Sequence, residues 1–322
     1  MEKFTYKKIQ LDCIDPDPVH SVRLEPFAFP ELLAESIARQ GILMPLMVTS
    51  APRPRILAGH LRFAAARKAG LTEIPVLALN AEVSPQEAFL AAVLSNWQRP
   101  WEEADRAYCL VRGVREFGMT SEEATQTLLP AMGLEPAKHV FEDYFETGQL
   151  EPSLLKAILE KRMPYRGARQ LSRFSAEDQK AFAELVADRA ALTAQDLLKV
   201  QEWLRSLMRQ SGLSLEETLV AHGAETILSH LIWDRRMKGD KFCQTLREIA
   251  HPTLTAQEKR LAEALKLVTD FSGDFRVEAP PFFEEQGYQL RAKIKNKGDL
   301  LRYRQLLEKH SEWLNSLFDF ML

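Results

Sequence analysis

Gly59 and Arg62 are spaced as a phosphate-binding turn needs them. Ahead of them, Arg55-Ile56-Leu57-Ala58 is a short apolar run that reads as a strand. Behind them, an Ala-rich run with arginines reads as a helix that ends at Gly70. A strand–glycine–helix junction turns backbone N–H groups outward, and the first turn of a helix attracts anions. Arg62 lies in that turn, where a guanidinium can grip a phosphate with two hydrogen bonds. The Gly-x4-Gly-Lys-Ser/Thr spacing of a P-loop is missing. An ordinary strand-to-helix turn with a surface arginine has the same pattern, so spacing alone leaves both readings open. His60, at the helix start, has the side chain of a general acid or base. A solvent-facing histidine is the expectation there.

The elements that would position this turn are legible in outline. Lys7 to Ile14 alternates and reads as an edge strand, stopped by Asp15-Pro16-Asp17-Pro18. Glu31 to Gln40 has helical spacing and is ended by Gly41. Leu46-Met47-Val48-Thr49 and Pro75 to Leu79 read as further strands. Ser84-Pro85 supplies the cap and first-turn proline of a helix running to about Leu94. The result is an α/β unit with a small mixed sheet. Asn96 and Arg99 follow in a short connection, and Pro100 can open the next helix, with Glu102 and Glu103 in its first turn.

The blocks Ser36-Ile37…Gly41-Ile42…Pro45-Leu46…Val48, Gly59-His60-Leu61-Arg62 with its alanines, and Asn96-Trp97-Gln98-Arg99 stand in a fixed order. In that order they resemble the N-terminal domain of ParB-type chromosome and plasmid partition proteins. The resemblance covers the first third of the chain well and the helical middle loosely. It implies a ParB/sulfiredoxin-like nucleotide-binding domain at 1–101 and an all-α domain with a helix-turn-helix at 102–210. An α+β module at 211–322, suited to dimerisation, would follow. It also implies that Gly59, His60 and Arg62 face the triphosphate of a nucleotide (CTP in the well-described members) with Mg²⁺, while Asn96 and Arg99 approach from the other side. The departures are specific. The family's Gly-Glu-Arg-Arg is Gly59-His60-Leu61-Arg62, and its Glu-Asn-x-x-Arg begins at Ser95. A carboxylate suited to Mg²⁺ is thereby a hydroxyl, which argues for at most weak nucleoside triphosphatase activity. For Arg99 a surface or interdomain salt bridge is the equal alternative. Trp97 and Trp101 read as interdomain packing ahead of base stacking.

Two short helices, one from Thr120-Ser121 and one over Ala137 to Thr147, joined through Gly133, fit a helix-turn-helix. The second carries Glu142, Asp143 and Glu146, which repel phosphates, so only Lys138 and His139 suit DNA there. A packing helix without a reading function has equal claim. The stretch with Lys161, Arg162, Arg166 and Arg169, extended by Arg173, is the better phosphate-binding candidate. A solvated helix face paired with nearby acids is its alternative. Further on, 206–214 reads as a linker, 215–232 as a helix, Trp233 to Gly239 as a basic turn, and 241–250 and 256–269 as helices. Residues 276–279 and 288–294 alternate as a strand pair, and Lys297 to Phe320 reads as a last helix with an apolar tail.

The whole chain sets bounds. Its 322 residues allow two or three domains, and its 46% hydrophobic and 27% charged residues are those of a soluble globular protein. A net charge of −3 excludes a polybasic coat but not a local basic face. Cys13, Cys109 and Cys243 form no Cys-x-x-Cys pair, and no histidine has metal-ligand spacing, so reduced thiols and no metal centre are expected. No apolar run suits a membrane helix, and the N-terminus lacks the apolar stretch of a secretion signal. The expectation is a cytoplasmic, nucleoid-associated protein that binds duplex DNA and forms a homodimer. The β-like Lys7–Ile14 begins almost at once, without the basic tail many such proteins use on a partner ATPase, so that partner is not expected. Two rivals remain: an ATP-dependent, kinase-like enzyme of the same superfamily, and a scaffold that has lost nucleotide binding.

Overall fold

The computed structural model describes residues 4–80, 83–97, 100–266, 275–278 and 289–316. The chain divides into two compact units, Met1–Asp240 and Lys241–Leu322.

The first unit opens with β1 (Phe4–Gln10), α1 (Glu31–Gln40), β2 (Leu46–Val48), β3 (Ile56–Ala58), α2 (His60–Lys68), β4 (Glu73–Leu79) and α3 (Pro85–Leu94). The four strands form one mixed sheet in the order β1-β4-β2-β3, with only β2 and β4 parallel. β4 and β2 are the two inner strands, and β4 alternates along its length. Ile74, Val76 and Ala78 point into the core, which alternation along a strand requires. Pro75 is tolerated in so central a strand because pairing with β2 begins only at Val76. α1 and α2 close one core over this sheet, with Ile37, Phe63, Ala65 and Ala66 buried against Leu46, Val48 and Ile56.

α3 belongs to a different core. Its Phe89, Ala92 and Val93 pack with residues of α4 (Glu103–Arg115), α5 (Ser121–Ala131) and α6 (Lys138–Thr147). The Phe89 and Phe117 rings stack with centroids 4.1 Å apart. At Gly148, just past α6, a Cβ would lie 2.3 Å from the Ala107 carbonyl oxygen, so only glycine permits that approach to α4. The helical run continues through α7 (Pro152–Leu159), α8 (Ala176–Ala181), α9 (Ala194–Ser211), α10 (Leu215–Ala221) and α11 (Ala224–Leu228) into α12 (Arg235–Ala250).

Three expectations are corrected in this part. The supposed linker at 206–214 is the last turns of α9, which ends where Gly212 takes a left-handed φ of 73°. Its polar residues are the outer face of an amphipathic helix, not a loop. The helix expected over 215–232 is two short ones, broken at Gly223 (φ 67°). The supposed basic turn at Trp233 to Gly239 is largely helical, because Arg235 starts α12.

In the second unit, α13 (Pro252–Lys266) precedes the antiparallel pair β5 (Phe275–Glu278) and β6 (Gln289–Ala292), as the alternation there predicts. The expected last helix is α14 (Lys297–Lys309) and α15 (Ser311–Ser316), separated at His310. The apolar tail from 317 onward lies outside the described residues. Among the described residues, no helix is long and apolar enough to cross a membrane.

Candidate functional site

Gly59 is the N-cap of α2, at φ 110° and ψ 21°, a conformation that penalises every side chain. A Cβ there would also stand 2.9 Å from Leu46 Cγ. We expect Gly59→Ala to lower stability by about 1–3 kcal/mol. Urea denaturation followed by tryptophan fluorescence checks this; an unchanged midpoint would show that the turn relaxes at no cost.

α2 starts without a side-chain cap and without an acid in its first turn. Its first amides are thus free of an internal carboxylate or hydroxyl partner, and the positive end of the helix dipole faces outward. In front of it lies a cleft of about 220 Å³, lined by Ser21, Val22, Arg23, Gly59, His60, Arg62 and Asn96 among others. Arg62 is half-buried. Its Nη1 donates to the carbonyl oxygens of Met44 (2.5 Å) and Pro45 (2.9 Å). One edge of the guanidinium therefore fixes the β2 entry, and the other is left for the cleft.

His60 does not face solvent as expected. It is only 7% exposed, under Phe27 (ring centroids 6.1 Å apart), and its Nε2 is buried without a hydrogen-bond partner. Burial, with His20 and Arg112 nearby, pulls its pKa from 6.5 to about 4. The imidazole is neutral at physiological pH.

Asn96, just after α3, reaches the same cleft and donates from Nδ2 to the Ala92 carbonyl (2.8 Å). Ser95 donates its hydroxyl to the same carbonyl (2.7 Å). Arg99 lies outside the described residues. Trp97 is 65% exposed rather than packed between elements, whereas Trp101 packs against the helical core.

Arg23 was not singled out by sequence reasoning. It lines the cleft beside Asn96, and its Nε is buried without a partner. Burial lowers its pKa, with Asp105 and Glu102 opposing. Its loop is strapped to α4. Asp105 accepts from the Leu24 amide (3.0 Å), and Arg112 donates to the carbonyls of Val19 (2.6 Å) and Ser21 (2.7 Å). The only signal in the sequence was an arginine between apolar neighbours in a proline-flanked loop.

The candidate DNA-binding residues divide into two groups. Arg169 chelates Glu146 of α6 (2.6 and 2.7 Å), Arg162 pairs with Glu160 (2.7 Å) and Asp188, and Lys161 lies 3.5 Å from Glu102. Arg166, Arg173 and His139 are exposed and hold no ion pair among the described residues, and exposed Lys138 is 3.7 Å from Glu142. The acids of α6 are spent internally as well. Asp143 accepts from the Tyr165 hydroxyl (2.7 Å), and burial together with that bond raises the phenol's pKa.

Residues 2–97 match the family of the ParB N-terminal domain. The chain is 30% identical over 204 residues to a probable chromosome-partitioning protein ParB of Coxiella burnetii, covering 62% of this chain and 67% of that one. The chain belongs to the ParB family. Other curated ParB-type proteins match over 54% and 60% of their own length, so the chain spans little more than half of them. Two crystal structures of the C-terminally truncated ParB from Caulobacter crescentus are similar at lower identity. One is complexed to the centromeric parS site (18% identity, TM-score 0.37, 61% of this chain and 98% of that one). The other is complexed with CTP-gamma-S (20%, TM-score 0.26, 56% and 97%).

Proposed function

We propose that this ParB-family chain is a nucleotide-gated DNA-binding protein of chromosome or plasmid partition, acting as a clamp. Its cleft would take the phosphates of a nucleoside triphosphate, CTP by family resemblance. The observation that carries this reading is the convergence of Gly59, Arg62, Asn96 and Arg23 on the uncapped start of α2. Two guanidiniums and a row of amides suit a polyanion, and the described lining has no carboxylate to repel it. Arg99, by resemblance, completes the grip. The same lining offers no anionic oxygen to Mg²⁺, so it does not fit a protein-held metal, and no hydrolytic step is assigned.

Exposed Leu32, Leu43 and Met44, with Leu94 and Trp97, lie on segments bordering the cleft. A second copy covering them when nucleotide is bound would close the clamp, consistent with a homodimer. In this reading residues 1–101 bind nucleotide, 102–210 meet DNA, and 211–322 serve dimerisation. DNA would meet the cations that remain available, Lys138, His139, Arg166 and Arg173, with Lys161, Arg162 and Arg169 holding the surface beneath them together.

The test is equilibrium binding of CTP, ATP, GTP and UTP to the full chain, with and without duplex DNA, for wild type and Arg62→Ala. Selective CTP binding that DNA strengthens, and a loss on the order of 100-fold in Arg62→Ala, is the expected result. An ATP preference indifferent to DNA would favour the ATP-dependent enzyme. Folded wild type that binds no nucleotide would leave the scaffold reading, and binding unaffected by Arg62→Ala would move the nucleotide out of this cleft.

A further inference from the structure

Next to the cleft in front of α2 lies a gap of about 10 Å³, lined by Val22, Arg23, Asn96, Pro100, Trp101 and Asp105. Val22, Arg23 and Asn96 line both spaces, so they form the wall between them. Asp105, on α4, lines only the gap. Arg23 therefore stands between the anion cleft on one side and a carboxylate on the other.

Asp105 is only 4% exposed and accepts from the Leu24 amide (3.0 Å). A buried carboxylate needs a counter-charge as well as hydrogen bonds. The other charges nearby are already matched. Glu25 lies 2.9 Å from Lys156, Glu102 lies 3.5 Å from Lys161, and Arg106 lies 3.3 Å from Glu103. Arg23 holds no ion pair among the described residues. Burial raises the Asp105 pKa, and the Leu24 bond and the Arg23 charge pull it back. Burial lowers that of Arg23, and Asp105 opposes the change. The two are charged partners across a gap no larger than a water molecule.

We propose that Asp105 is a positioning residue, the internal counter-anion of Arg23 with which a polyphosphate in the cleft must compete. This rests on the reading of the cleft as a phosphate site. Asp105 has two separable parts in it. Its bond to the Leu24 amide keeps the strap on α4. Its charge draws Arg23 back from the cleft and lowers the affinity for polyanions.

Asp105→Asn separates the two parts, since the amide oxygen still accepts from Leu24 while the charge is gone. The full-length variant should bind CTP and inorganic triphosphate about tenfold tighter than wild type. In an Arg23→Gln background the same substitution should change nothing, because the pair is already broken. A merely structural Asp105 would instead weaken binding when replaced, with or without Arg23. The pairing has its own readout, which needs no ligand. The carboxyl carbon NMR signal of Asp105, followed against pH, should move its midpoint up by about one unit in Arg23→Gln. Unchanged or weaker binding by Asp105→Asn, a gain that persists without Arg23, or a carboxyl midpoint indifferent to Arg23→Gln would each overturn the assignment. If neither wild type nor Asp105→Asn binds either probe while the midpoint moves as expected, the phosphate reading of the cleft falls, and the competition with it, and only the ion pair stands.

Discussion

Replacing Arg112 by alanine should cost about 3–5 kcal/mol. Arg112 is 6% exposed, and each of its terminal groups is used. Nε donates to Glu116, Nη1 to the Ser21 carbonyl and Nη2 to the Val19 carbonyl. Its guanidinium carbon lies 5.3 Å from the Tyr108 ring centroid, 5.4 Å from that of Phe117 and 6.0 Å from that of Phe89. Truncation removes this packing and strands two carbonyls. Arg112→Lys should recover little, because a single ammonium cannot span three acceptors in a plane. The midpoint of urea unfolding of the full chain measures the effect. Since the same bonds hold the 19–23 strap, the cleft in front of α2 should lose the wall formed by Ser21, Val22 and Arg23. A variant with an unshifted midpoint would mean that water satisfies those carbonyls and that the strap is held by its apolar residues alone.

The contrast between Arg112 and Arg62 explains how much of this site was legible. Gly59 and Arg62 are three residues apart, and a glycine between a strand and a helix announces its own backbone requirement. The mixed sheet, α1, α2 and α3 were readable for the same reason: alternation, helical spacing and caps are local. Asn96 was readable only through family likeness, because nothing local says that the end of α3 meets the start of α2. Arg23 and Arg112 were not readable, since the bonds that fix the 19–24 loop on α4 join residues more than 80 positions apart in sequence. The acids of α6 misled for a related reason. Glu146 and Asp143 look like a barrier to phosphate in the sequence, yet they meet Arg169 and Tyr165, supplied by a segment about 20 residues on. Charge of one element has meaning only with the element that faces it. The supposed linker at 206–214 failed differently: polar residues mark the outside of a helix as readily as a loop.

Protonation of His60 should make the protein acid-labile well above the range of ordinary carboxylates. Folding lowers its pKa from 6.5 to about 4, so the unfolded chain binds the proton more tightly. Its contribution is fully present above pH 6.5, falls as pH drops through that value, and is exhausted near pH 4. The shift corresponds to about 3 kcal/mol across that window. His20, whose pKa burial also lowers, adds to the slope in the same direction. His60→Gln keeps a polar side chain of similar reach and does not titrate. Its unfolding free energy should therefore vary less between pH 7 and pH 4.5 than that of wild type, by about 2–3 kcal/mol. The imidazole proton signals provide a second measure, since their midpoint should lie near 4 in wild type. A midpoint near 6.5, or identical pH profiles for the two proteins, would place water beside the ring. The consequence reaches the cleft. The His60 imidazole, kept neutral by burial, neither repels nor attracts a phosphate at physiological pH, and the positive character of the cleft rests on Arg62, Arg23 and the start of α2.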